Sequence, residues 1–145
     1  MYFVDREKIE SILVYLESLI TLLQENKGWK QPILKLALER IGHLIIESIL
    51  DVGNSMIDGF IMRDPGSYED IIDILEDEKV IRKDQADSLK KVISFRKLLV
   101  QEYISVNHDN LAKTFLEELD SIKSFPNDVR TYLQNELGPV SAFKS

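Results

Sequence analysis

Cysteine is absent from the 145 residues, which excludes disulfides and thiol chemistry and fits a reducing compartment. Histidine is nearly absent too: His43 and His108 are the only two, so few groups titrate near neutrality. No run of about 18 apolar residues occurs, and no membrane span is expected. The opening MYFVDREKIE has no basic stretch leading into an apolar one, so no signal peptide is expected and a cytoplasmic location is the default. There is no strand-like alternation, repeat or low-complexity tract. A glycine-rich phosphate loop, a nucleophile elbow and histidines paired at metal-binding spacing are all missing, so no cofactor and no metal is expected.

What is present is helical. Hydrophobic residues make up 44% and charged residues 30%, ordinary for a globular protein, and the length suffices for one domain. A first helix is expected from Asp5, a natural cap, to about Asn26, with Ile9, Ile12, Leu13, Leu16, Leu19, Ile20 and Leu23 as its stripe and Gly28 as part of its stop. A second runs from Gln31 to about Met56. It is apolar on more than one side (Leu38, Ile41, Leu44, Ile45, Ile46, Ile49, Leu50), which predicts a central position or a subunit interface. Gly42 and Gly53 hint at close helix packing on it. His43, Glu47 and Asp51 recur every four residues; two carboxylates and one imidazole make an incomplete metal set, so satisfied polar groups are expected.

Residues 57–67 read as an irregular segment with a turn at Asp64-Pro65-Gly66. Ser67 and Asp70 resemble a capping box opening a short helix from Tyr68 to Asp77. A further helix, capped by Asp84, is expected to continue unbroken to His108-Asp109. The last begins near Asp109 and is expected to kink or break at Phe125-Pro126. The predicted fold class is all-α: an antiparallel bundle of four long helices plus short extra helices, spanning residues 1–137. A tail of residues 138–145 comes after it, in which Val140 and Phe143 are free to dock.

The formal net charge is −7, which argues against a general nucleic-acid binder. The charge is segregated, however. Residues 64–78 contain seven acids and no base, whereas residues 79–97 carry a net charge of +5. Two solvated helix faces would explain this, and so would a basic patch leading to Arg96 that steers a phosphate backbone.

That patch ends in VISFRKLLVQEYISVNHD, residues 92–109. Val92, Ile93, Leu99, Val100 and Tyr103 repeat at the spacing of a buried helix face, with Arg96 on the same side and Tyr103 roughly above it. A buried guanidinium needs a partner. A structural ion pair satisfies that need, as does a side chain that reaches water along its stem.

FRKLLVQEY resembles the signature of HepT-like toxins of the HEPN superfamily, in which arginine is followed by four residues, a histidine, one residue and a tyrosine. ALERIGHLIIESILDVGN and PGSYEDIIDIL resemble the second helix and the connector of the same proteins. The resemblance implies a metal-independent ribonuclease with its pocket between two protomers of a homodimer. It also implies a nucleotidyltransferase antitoxin that adenylylates the motif tyrosine. Arg96 would hold the scissile phosphate, and Tyr103 would be the modified residue. Gln101 stands where the family has histidine, and an amide cannot carry a proton between the reacting oxygens. Gln101 also lies roughly 140° around an ideal helix from Arg96. His43 and His108 are the other imidazoles able to substitute. Two functions are therefore open: a weakened toxin ribonuclease with catalytic Arg96, Gln101 and Tyr103, or an inactive HEPN dimer that binds RNA, a nucleotide or a protein. A homodimer through the second and fourth helices, with the Tyr103 hydroxyl at the groove mouth, is expected in either case.

Overall fold

The computed structural model describes residues 3–138. The expected docking residues Val140 and Phe143 lie outside that range. Helix α1 (Arg6–Glu25) starts where Asp5 accepts a hydrogen bond from the Lys8 backbone N–H at 3.0 Å. It stops at Asn26, whose backbone is extended and whose side chain donates to the Leu22 carbonyl. Gly28 takes no left-handed conformation, so the stop is made by the asparagine.

Helix α2 (Pro32–Gly59) is the axis of the bundle. At 28 residues it is about 42 Å long, and it packs against α1 and several later helices. Ile45, Ile46, Ile49, Leu50, Val52 and Met56 are essentially inaccessible within the single chain. Most of its apolar surface is therefore covered inside the protomer, although Ile33 and Leu36 near its start stay exposed. Its glycines mark close approaches: a Cβ on Gly53 would stand 2.5 Å from Ile71 Cγ2, and one on Gly42 would stand 3.4 Å from the Phe115 ring.

The irregular segment is shorter than expected because α2 runs on to Gly59. Ile61 then takes a left-handed backbone, φ 56°, and the chain reaches α3 (Tyr68–Asp77). Ser67 caps α3 by accepting from the Asp70 N–H. The Asp70 carboxylate reaches back one residue beyond the cap, to the Gly66 N–H at 2.8 Å. After a turn through Lys79 (φ 62°) comes α4 (Lys83–Ile93). Arg82, not Asp84, occupies its cap position, and Asp84 falls inside the first turn.

The largest correction lies at the end of α4. The expected continuous helix breaks at Ser94–Phe95 and resumes as α5 (Arg96–Gln101). Ser94 Oγ donates to the Lys91 carbonyl at 2.6 Å, a local bond that competes with the regular ladder. Helix α5 ends at Gln101, well short of His108, and gives way to a single 3-10 turn, Tyr103–Ser105. His108 begins a new helix, α6 (His108–Glu117), capped by Asn107.

The last break also differs. It falls at Glu118, and α7 (Leu119–Leu137) carries Pro126 in its interior. The Ser121 carbonyl near the proline is taken up by the side chains of Ser124 (3.2 Å) and the inaccessible Gln85 (3.3 Å). Arg130 ties α7 to α1 by pairing with both Glu10 and Glu17. The whole is the all-α antiparallel bundle that the periodicity predicts: α1, α2, the interrupted α4–α5 and the α6–α7 pair form its length, with α3 as the short extra.

Candidate active site

The residues at the start of α5 open onto a cleft of about 480 Å³. Arg96, Lys97 and Gln101 supply one side, Lys90, Ile93 and Ser94 extend it, and Ser67, Tyr68 and Glu69 of the α3 entry face them. The break at Ser94–Phe95 is what makes this possible. Phe95 turns inward beside Phe115, with ring centroids 6.1 Å apart, and the next residue, Arg96, begins a fresh helix at the cleft edge.

Arg96 is three-quarters buried at its side chain and donates from Nε to Glu47 Oε1 of α2 at 2.7 Å. The structural ion pair thus exists, and it coexists with a place in the cleft wall. The guanidinium carbon lies 4.3 Å from the centroid of the Tyr68 ring, a cation–π contact. Its outer NH2 groups have no hydrogen-bond partner among the described residues. Arg96 is therefore fixed in orientation by Nε while its two outer NH2 groups stay available.

Gln101 lines the same cleft as Arg96, despite their angular separation on an ideal helix. Lys97 bridges them, since it neighbours Arg96 and sits four residues before Gln101, on one face with it. Tyr103 is elsewhere. It lies in the 3-10 turn past the helix end, 62% exposed, and is not among the residues lining the cleft. The predicted buried stripe accordingly ends at Leu99; Val100, Tyr103 and Ile104 are exposed.

Neither histidine lines the cleft. His43 lies 3.4 Å from the Glu47 oxygen that holds Arg96, with Arg40 at its other ring nitrogen. His108 pairs with Glu39 at 2.7 Å. Glu39, His43 and Glu47 form a polar row along α2, so the four-residue recurrence is a set of paired groups. Asp51 is exposed, and no three potential metal ligands converge among the described residues.

Glu47 and Tyr68 were not identifiable as site residues from the sequence. Glu47 carried a faint signal in its spacing from His43; Tyr68 carried none. The basic stretch is also partly neutralised: Lys90 pairs with Asp73, Arg82 with Asp84, Lys83 with Asp87 and Lys91 with Glu118. Lys97 has no ion-pair partner among the described residues, which leaves it the freest cation of the cleft.

The family profile described as "Ribonuclease HepT-like" matches residues 9–129. The chain belongs to the HepT-like family. It is 54% identical over 144 residues to "Putative RNase YutE" of Bacillus subtilis, a match covering 99% of this chain and all of that one. The solved structure of that protein, described as a cytosolic protein of unknown function, superposes with a TM-score of 0.96, at 53% identity and the same coverage. A tri-AMPylated HEPN toxin of Shewanella oneidensis, in complex with an MNT antitoxin, shares the fold at 20% identity and a TM-score of 0.75. That match covers 85% of this chain and 96% of the toxin. No described helix is long and apolar enough to cross a membrane.

The loop that carries Tyr68 is held by Asp70, which accepts two hydrogen bonds from Arg63 at 2.8 Å each and one from Gly66. Arg63 first, and then the Gly66 N–H, lower the Asp70 pKa from 3.8 to about 2. A depressed carboxylate contributes stability that is complete above its unfolded pKa and lost as pH falls through the folded one. The loop clamp is thus expected to hold above about pH 4 and to release as pH falls towards 2. NMR titration of the Asp70 carboxyl carbon checks this, and a midpoint near 4 would show that the clamp is not formed in solution.

Proposed function

We propose that the chain is a HepT-type, metal-independent endoribonuclease with a weakened active site, acting as the toxin of a pair with a nucleotidyltransferase antitoxin. The observation that carries this reading is Arg96. Its Nε is anchored on Glu47 while its outer donors remain free in a cleft shared with Lys97 and Gln101. A guanidinium held in this way binds a phosphate in a set orientation and stabilises the charge that develops when the 2′-oxygen attacks. The step also needs a proton carrier. Gln101 can orient the 2′-hydroxyl or the leaving oxygen but cannot take up a proton, and general acid–base catalysis is worth about 10²–10⁴ in rate. The same glutamine favours the second reading, an inactive HEPN dimer that keeps the cleft for binding.

An RNA-cleavage assay in the presence of EDTA separates the two. Weak or undetectable cleavage is expected from the natural chain, none from Arg96→Ala, and a gain of about 10²-fold from Gln101→His. Robust cleavage that survives Arg96→Ala would remove the site assignment.

A homodimer completes this reading. Its motive is exposed apolar surface: Ile33 and Leu36 at the start of α2, and Val100, Tyr103 and the 91%-exposed Ile104 at the end of α5 and beyond. A second copy laid on them would shield apolar surface and extend the cleft wall. Light scattering at micromolar concentration is expected to give twice the chain mass, and a stable monomer would rule the dimer out.

Tyr103 is the proposed target of adenylylation, its exposed phenol being accessible to a transferase. Incubation with ATP and a minimal nucleotidyltransferase antitoxin is expected to add adenylyl mass to the natural protein and not to Tyr103→Phe. Equal addition to both would assign the modification to another residue.

A further inference from the structure

Tyr68 has no evident structural task. It is the first residue of α3, half of it is exposed, and its ring lies against the Arg96 guanidinium. An aromatic side chain left half in water at a cleft edge forgoes part of the burial that favours such residues in cores. The backbone beneath it is nevertheless held firmly. Ser67 caps the helix, and the Asp70 carboxylate takes three hydrogen bonds from Arg63 and the Gly66 N–H. The result is an aromatic ring presented on a braced loop, beside an arginine with two free NH2 groups.

We propose that Tyr68 is a specificity-determining residue that stacks on an unpaired base next to the phosphate held by Arg96, which makes the cleft selective for single-stranded RNA. This rests on the ribonuclease reading of the same cleft. The geometry supports it in three ways. The ring and the guanidinium are in contact, 4.3 Å from centroid to carbon, so an anion on Arg96 and a base against Tyr68 would be neighbours, as phosphate and base are within one nucleotide. Lys97 continues the cationic side of the cleft, Lys90 being paired with Asp73, while Glu69, the carboxylate of the lining, stands next to Tyr68 and disfavours phosphate at that end. Ser67 Oγ, which accepts from the Asp70 N–H, keeps its proton to donate to base or sugar, and Ser94 Oγ, which donates to the Lys91 carbonyl, keeps only acceptor capacity. A duplex cannot use the ring, because its bases are already stacked; base–aromatic stacking is a device for single strands and tolerates many sequences.

The test is equilibrium binding of the full chain, in low salt with EDTA, to a short oligoribonucleotide containing 2-aminopurine and to the matching duplex. Anisotropy reports affinity, and 2-aminopurine quenching reports stacking. Tyr68→Ala is expected to weaken single-strand binding about 10-fold and to abolish the quenching, with duplex binding unchanged. Tyr68→Phe is expected to keep both affinity and quenching, because the ring and not the hydroxyl does the stacking. Arg96→Ala is expected to weaken both RNA forms and to flatten the salt dependence. Single-strand affinity and quenching that are unchanged in Tyr68→Ala would overturn the inference while leaving the ribonuclease reading intact. Equal weakening of duplex and single strand in Tyr68→Ala would also overturn it, since that is the signature of a displaced Arg96. Failure of the natural chain to bind either RNA would overturn both readings.

Discussion

Helix α2 is apolar around most of its circumference yet carries a polar row, Glu39, His43 and Glu47, at four-residue spacing. The apolar sides decide which helices must surround it. The polar row decides where the 94–108 segment sits. A carboxylate removed from water has to find donors, and here Glu47 finds Arg96 at the first residue of α5, while Glu39 finds His108 at the first residue of α6. The Arg96–Glu47 ion pair and the His108–Glu39 hydrogen bond, both partly buried, therefore set the register of the short helices against the long one. The interruption at Ser94–Phe95 places Arg96 at the head of its own helix. In a continuous α4 the arginine would have stayed on the α4 stripe.

The same pair shapes the electrostatics of the cleft. Glu47 takes part of the charge of Arg96 and returns a fixed orientation, a useful exchange where a planar donor group must meet a phosphate edge-on. Most of the basic stretch before it is tied to acids, and exposed pairs of that kind contribute little to stability, about 0–1 kcal/mol each. They do, however, cut the long-range field that a run of positive charge would otherwise project. On a chain of net charge −7, attraction for a polyanion is thus local, concentrated at Arg96 and Lys97.

Family membership and chemistry separate at this point. A fold shared at 20% identity with a TM-score of 0.75 is what a bundle specified by apolar patterning allows, because cores tolerate wide substitution while volume and pattern are kept. Activity depends on a handful of side chains placed on that fold, and in the proposed reading Gln101 is one of them. In that reading Arg96 and Lys97 would bind and orient a phosphodiester, while an amide in place of the imidazole could not move a proton.

The sequence by itself determined the all-α class, the extents of α1 and α3 almost to the residue and the family to which the chain belongs. These depend on periodicity, capping residues and a short motif, all of them local in the chain. It could not determine that α4 breaks before Arg96, that Pro126 is accommodated within α7 while the chain breaks at Glu118, or that Tyr103 leaves the helix altogether. Nor could it pair Arg96 with Glu47, 49 positions away, or lay Tyr68 against the same guanidinium. The placements of Arg96, Phe95 and Tyr68 rest on partners distant in sequence: the Glu47 carboxylate of α2, the Phe115 ring and the Arg96 guanidinium. Tertiary structure decided them because a polar group leaving water, or a ring filling a gap, takes whatever neighbour the packed bundle brings within reach.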